Sequence, residues 1–240
     1  MVKSSALPGL HTIRGLAGSC HLLVDAEAAV MIDTGLVGEP FLIRRLFRKL
    51  QLHPNFLKAI LLTHGHLDHA GNVAWVKQWS GAKVYAHPEE ARHIAGTYPY
   101  TGVNKWCGRL EATGRLLFRY RAVSIDKPLT DGQELPFWGG LRVIHLPGHT
   151  RGHCGFYSAR HNLLFSGDMF ASYWFTVHQP PAILNSVPEL FAASVERVRQ
   201  LAPRLMFPGH YDFCDGDLHR RRFCRLYRLN DWVEAGDLTA

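Results

Sequence analysis

The feature that most restricts this chain is an apolar strand that runs directly into a cluster of metal-type ligands. Ala59-Ile60-Leu61-Leu62 is continuously apolar, the pattern of a strand covered on both faces. It is followed at once by Thr63-His64-Gly65-His66-Leu67-Asp68-His69. Imidazole and carboxylate are the ligands that suit zinc, iron and manganese. In extended or turning backbone, side chains alternate with period two, so His64 and His66 point the same way. Asp68 and His69 fall at a helix start, displaced enough to serve a second ion. The spacing therefore suits two adjacent metals better than one.

The arrangement recurs downstream. Leu141–Leu146 runs into Pro147-Gly148-His149, Leu163–Phe165 into Ser166-Gly167-Asp168, and Leu205–Phe207 into Pro208-Gly209-His210. With His64, four strands are expected to deliver ligands at their carboxyl ends, the edge where open α/β sheets place their ligands. A glycine beside each ligand permits close backbone approach. The candidate metal ligands are thus His64, His66, Asp68, His69, His149, Asp168 and His210.

Elsewhere the pattern mixes strands and helices. His21–Asp25 and Ala29–Asp33 flank a polar Ala26-Glu27 turn, a hairpin signal. Phe41–Leu52 has apolar residues near helical spacing, with Pro40 suited to its first turn. A helix is expected from about Asp68 through Val76, a strand at Ala82–Ala86, and a helix opening at Pro88. Gly155–Tyr157 reads as a further strand, Pro188–Leu201 as a helix, and a basic helix ends the pattern. Residues 96–121 mix aromatics, glycines and basic residues without a clean period, and read as an insertion or lid. Such a pattern suggests two sheets packed together with helices outside.

With 240 residues, 47% apolar and 20% charged, the composition is that of an ordinary globular protein. The absence of repeats and linkers makes 1–240 a single domain. No stretch has the apolar length of a membrane span, and Met1–Arg14 lacks the apolar core of a secretory signal. The five cysteines form no CxxC pair and read as reduced thiols. These features point to the cytoplasm and to a small-molecule substrate, with no membrane partner. The net charge of +7 is split between Arg44–Lys49 and Arg220–Arg228, which read as two solvated helix faces rather than a nucleic-acid surface.

These motifs together resemble the metallo-β-lactamase superfamily, specifically its glyoxalase II-like hydrolases. Thr63–His69, Pro147–Thr150, Ser166–Asp168 and Pro208–His210, with Ile32-Asp33-Thr34-Gly35 upstream, stand in that family's order. The resemblance implies an α/β four-layer αβ/βα sandwich of two mixed sheets with outer helices, the site lying at one edge between the sheets. It assigns His64, His66 and His149 to one metal and Asp68, His69 and His210 to the second, with Asp168 bridging and Asp33 orienting the ligands from behind. The cofactor it implies is two divalent ions, zinc first, with iron or manganese as alternatives. Two such ions share a bridging water and lower its pKa, and the hydroxide attacks a carbonyl or phosphoryl centre. Asp168 and Asp68 orient that nucleophile, and Asp68 receives its proton.

Hydrolysis of a thioester, ester or lactone is the leading expectation. The loop Met169–Trp174 is not the Gly-Cys-Gly-Arg type of glyoxalase II, and the 30 residues after His210 are too few for its helical glutathione-binding domain. A persulfide dioxygenase using one iron, and a phosphodiesterase or nuclease on the same fold, are the alternatives. Tyr173 or Trp174 is expected near the pocket and His178 near substrate. His153 reads as structural, His87 as a cap for the Pro88 helix, His145 as packed, and Cys154 as a small buried residue. His93 carries no signal.

Overall fold

The computed structural model describes residues 2–4, 7–36, 40–97, 105–229 and 232. Its strands are β1 (Val2–Ser4), β2 (Leu10–Arg14), β3 (Ser19–Val24), β4 (Ala29–Ile32), β5 (Leu57–Leu61), β6 (Lys83–Ala86), β7 (Lys127–Pro128), β8 (Glu134–Leu135), β9 (Leu141–His145), β10 (Cys154–Ser158), β11 (Leu163–Tyr173), β12 (Thr176–His178) and β13 (Leu205–Tyr211). The helices are α1 (Pro40–Lys49), α2 (Leu67–Ala70), α3 (Val73–Ser80), α4 (Ala91–Ile94), α5 (Lys105–Leu117), α6 (Phe191–Leu201) and α7 (Gly216–Tyr227). One sheet runs β1 to β7 in sequence order. The other runs β12-β11-β10-β9-β8, with β13 paired to β11 in parallel.

Period-two alternation divides each central strand between two apolar layers. Ala29 and Met31 of β4 pack with Ile43, Phe47 and Val76 of the outer helices, while Val30 and Ile32 face the second sheet. Ile60 and Leu62 join the helix side; Ala59 and Leu61 join Val143, Phe156 and Phe165 between the sheets. On the far side, Ile144, Leu164 and Met206 pack against Val195 of α6 and Phe223 of α7. Three apolar interfaces therefore separate four layers, helix, sheet, sheet and helix, as the αβ/βα expectation requires. The continuous apolar runs arise because both faces of these strands are covered.

Several expectations are corrected. The run after His66 forms two helices, not one, because the backbone breaks between Ala70 and Val73. Asp168 and His210 lie inside β11 and β13 rather than beyond their ends: β11 continues to Tyr173 by shifting register between Phe165, Gly167 and Ala171. The β2 strand was not anticipated from the sequence. The expected lid contains α5, while its residues 98–104 lie outside the described part. The C-terminal arginines are not simply solvated. Arg220 is buried beside Asp217, and Arg222 donates to the carbonyls of Tyr173 and Trp174. The turn at Ala26-Glu27, the β3–β4 hairpin and the cap that His87 places on Glu89 N all stand as expected.

Candidate metal centre

Four segments bring the seven candidate residues together. The turn after β5 leads into α2 and carries His64, His66, Asp68 and His69; the turn after β9 carries His149; β11 and β13 carry Asp168 and His210. Asp168 reaches the centre through a bulge at Gly167, whose φ of +51° is left-handed. A Cβ there would lie 2.5 Å from His153 Nε2, so glycine is required for the bulge to sit against that ring.

Behind the candidate ligands, a set of acceptors fixes the rings. His69 Nδ1 lies 2.9 Å from Asp33 Oδ2, His149 Nδ1 2.8 Å from Asn185 Oδ1, and His210 Nδ1 2.7 Å from the Ala17 carbonyl. His64 Nδ1 lies 3.0 Å from Thr63 Oγ1, whose hydroxyl donates in turn to Asp33. Donation by one ring nitrogen leaves the other bare and aimed inward, the usual condition of a metal-binding histidine. The inward atoms converge: His66 Nδ1 is 3.1 Å from His64 Nε2 and 2.9 Å from His149 Nε2. His69 Nε2 is 3.3 Å from His210 Nε2, and His210 Nε2 is 3.1 Å from Asp168 Oδ2 and 3.4 Å from Asp68 Oδ2.

Nitrogen facing nitrogen at such distances wastes hydrogen-bond capacity, whereas ligands held tetrahedrally at ~2.0–2.1 Å would sit about 3.3 Å apart. Asp168 Oδ1 is buried and makes no hydrogen bond, although His69 Nε2 lies 3.2 Å away. A buried carboxylate oxygen without a donor is costly unless a cation completes it. His64, His66 and His149 fall within 4.8 Å of one another, as do His64, His69 and Asp168, and Asp68, His69 and His210. The donor set therefore fits divalent ions.

The electrostatics divide the cluster. Burial, reinforced by neighbouring imidazoles, lowers the pKa of His64 and His66, and burial also lowers that of His149. These rings are neutral at pH 7, the form that binds metal. Burial would lower His210 too, but the charge and hydrogen bond of Asp168 carry it up to about 9. His69 is raised against its burial by Asp168, Asp68 and Asp33. Asp168 is held well below the usual carboxylate range despite its burial, by His210 and His69.

The structure also supplies residues the sequence reading missed. Glu90, fully buried, accepts from Gly65 N at 2.8 Å, Gly152 N at 2.8 Å and Thr150 Oγ1 at 2.6 Å, tying the His64–His66 turn to the His149 turn. His93, 3.4 Å from Glu90, packs its ring edge-on against His66. Asn185 reaches His149 from 36 residues away. His153 has the structural role expected of it: its neutral ring, with a pKa lowered to about 3 by burial, accepts from Asp168 N and faces the Leu146 carbonyl. Replacing Asn185 by Ala should lower metal affinity roughly 10–100-fold while leaving the fold intact. A chelator titration read beside circular dichroism checks this; unchanged affinity would remove Asn185 from the set.

Above the cluster opens a cavity of about 430 Å³. Its floor is His66, Asp68, His149, Asp168 and His210, and its walls include Leu36, Leu67, Phe170, Tyr173, His178 and Leu184. Leu110, Glu111 and Gly114 of α5 form one side, so the segment read as a lid does flank the site. Tyr173 and His178 are wall residues as expected. Trp174 instead packs on Phe213.

Comparison with known proteins agrees with this architecture. A profile of the metallo-beta-lactamase superfamily matches residues 13–210. A hydroxyacylglutathione hydrolase, GloC, of Haemophilus influenzae is 31% identical over 159 residues, covering 63% of this chain and 66% of its own length. The crystal structure of a metallo-beta-lactamase family protein, TTHA1429, from Thermus thermophilus superposes with a TM-score of 0.73 at 25% identity, over 96% of this chain and 82% of that one. Another protein, TTHA1623, solved in a di-iron-bound form, is 28% identical with a TM-score of 0.65, over 88% and 96%. The fold, the order of the motifs and the extent of the match agree: the chain belongs to the metallo-beta-lactamase superfamily.

Proposed function

We propose that the chain is a metal-dependent hydrolase that holds two divalent ions and cleaves a thioester, ester or lactone. His64, His66 and His149 would hold one ion and Asp68, His69 and His210 the other, with Asp168 lying between the two groups. The observation that carries this reading is the clustering of five ring nitrogens, at least four of their rings backed by a hydrogen-bond acceptor, around Asp168, whose buried Oδ1 has no hydrogen-bond donor. The di-iron relative and the hydroxyacylglutathione hydrolase support two metals and acyl hydrolysis respectively. Histidine and carboxylate suit zinc and iron alike; zinc is taken as the first candidate and iron as the second.

When bound, such ions supply the Lewis acidity that brings a water's pKa toward neutrality and polarises a carbonyl. The chain's own groups do the rest. Asp68 is the more solvent-open of the two floor aspartates, and its Oδ2 is placed to accept the proton that the attacking water gives up. Asp168 holds its oxygens between the two histidine groups. Tyr173 keeps its proton, since burial and the Asp168 charge raise its pKa, and so it offers a donor from the wall. The apolar walls exclude water from the side facing the substrate.

No helix among the described residues is long and apolar enough to cross a membrane. None of the described cysteines Cys20, Cys154, Cys214 and Cys224 is in a disulfide, which suits a reducing compartment.

The test joins metal content to a panel of thioester, lactone, phosphodiester and β-lactam substrates. About two ions per chain and acyl hydrolysis are expected, together with a rise in Tm when zinc is added to the chelated protein. One iron per chain with oxygen consumption would overturn the reading in favour of the dioxygenase.

A further inference from the structure

The walls of the cavity carry information about the substrate beyond the reaction type. Leu36, Leu67, Leu110, Phe170, Pro181 and Leu184 surround the floor. The chain has 27 lysines and arginines, yet none is among the described residues that line the cavity. Arginines near the site are committed elsewhere: Arg14, whose charge reaches Tyr173, donates to the Asp212 carbonyl. Arg115 turns to the Gly65 carbonyl at 2.5 Å and to Glu111 at 2.8 Å, and Arg222 serves the carbonyls of Tyr173 and Trp174. The one carboxyl on the wall, that of Glu111, is paired with Arg115. A substrate with free carboxylates would therefore meet apolar carbon on the wall, with no lysine or arginine among the described lining residues to pair with it. Leu110 and Leu184 both line the cavity and reach solvent, so the apolar wall continues to the mouth. The volume of about 430 Å³ lies in the range of small-molecule pockets.

We infer that the cavity selects an uncharged aliphatic acyl group on an uncharged leaving group, and discriminates against carboxylate-bearing carriers such as glutathione. The inference rests on the hydrolase reading and narrows it. In the reaction, the water oxygen forms the new C–O bond, the acyl–sulfur bond breaks, and the products are the aliphatic carboxylate and the free thiol. One water proton goes to the departing sulfur and the other to solvent.

The experiment uses the zinc-loaded protein and acetyl, butyryl, hexanoyl and octanoyl thioesters of N-acetylcysteamine, an uncharged thiol, beside hexanoyl-glutathione. kcat/KM should rise about fourfold per added methylene until the cavity is filled, the value of burying that group. Hexanoyl-glutathione should fall at least about tenfold below its uncharged counterpart, because its carboxylates are left unpaired against the apolar wall. Leu184→Arg, which sets a cation at the mouth, should reduce that discrimination several-fold. A flat chain-length series, or a preference for glutathione, overturns the inference while leaving the hydrolase reading standing. Failure to cleave any thioester or lactone sinks the hydrolase reading instead. Calorimetry then still reads the cavity: octanamide binding more tightly than S-hexylglutathione supports the inference, and the reverse order overturns it.

Discussion

If the proposed two-metal centre is right, Asp168→Ala should lose at least one of its two ions and lower kcat/KM by about a hundredfold or more. Residues that merely orient ligands already cost 10–100-fold when removed, and Asp168 does more than orient. Its Oδ2 faces His149 and His210 at 3.4 and 3.1 Å, and its Oδ1 faces His69 at 3.2 Å. No other carboxylate among the described residues approaches both histidine groups in this way. Without it, His69 and His210 would lose the carboxylate that does most to hold their pKa values up against burial. Metal analysis, turnover and circular dichroism on one preparation separate loss of metal from loss of fold. Full activity with two ions bound would remove Asp168 from the centre.

Glu90→Ala should destabilise the protein by about 3–5 kcal/mol, because three buried donors lose their acceptor at roughly 1–3 kcal/mol each. The deletion orphans Gly65 N, Gly152 N and Thr150 Oγ1, all buried, and leaves His93 without its carboxylate. Glu90→Gln should cost less, because an amide oxygen can still serve Thr150 and Gly152, but its NH₂ opposes Gly65 N. The pH dependence gives an independent readout. Burial would raise the Glu90 pKa, but His93, Thr150 and Gly65 hold it at about 2, below the 4.5 of an ordinary glutamate. A depressed carboxylate pKa contributes stability that is complete above about pH 4.5 and lost as the pH falls toward 2. The stability gap between wild type and Glu90→Gln, from urea unfolding, should therefore be constant near neutrality and shrink below about pH 4.5. A gap independent of pH across that window would show that the buried carboxyl is not ionised.

The seven candidate ligands were readable from sequence because each follows or interrupts an apolar run and stands beside a marker residue. His64, His149 and His210 announce themselves by the strand before them and the glycine next to them. Glu90 has no such marker. Its neighbour Glu89 occupies the same helix opening, yet Glu89 lies on the surface and Glu90 in the core. Only contacts 25, 60 and 62 residues away distinguish them. Asn185 was hidden for the same reason, in a proline-containing loop whose local pattern says nothing of His149. The α5 helix was obscured by Gly108 and Gly114, poor helix formers. At Gly114 a Cβ would come within 3.2 Å of Leu67, so tight packing against the site outweighed helical propensity. The extension of β11 through Asp168 was missed because a bulge breaks the apolar alternation on which a strand is recognised.

The parallel pairing of β13 with β11 has a consequence for how the protein comes into being. Among the described strands β13 is made last, and it enters beside β11 after the α6 crossover, bringing His210 to Asp168. On the proposed ligand set, a nascent chain still lacking this strand carries the first three-histidine group but not the second. At roughly 5–20 residues per second, the interval between His149 and His210 leaving the ribosome is several seconds. On that ligand set, capture of the second ion would be a late event in biogenesis, and a filled centre would report that the chain has been synthesised through β13 and has docked it.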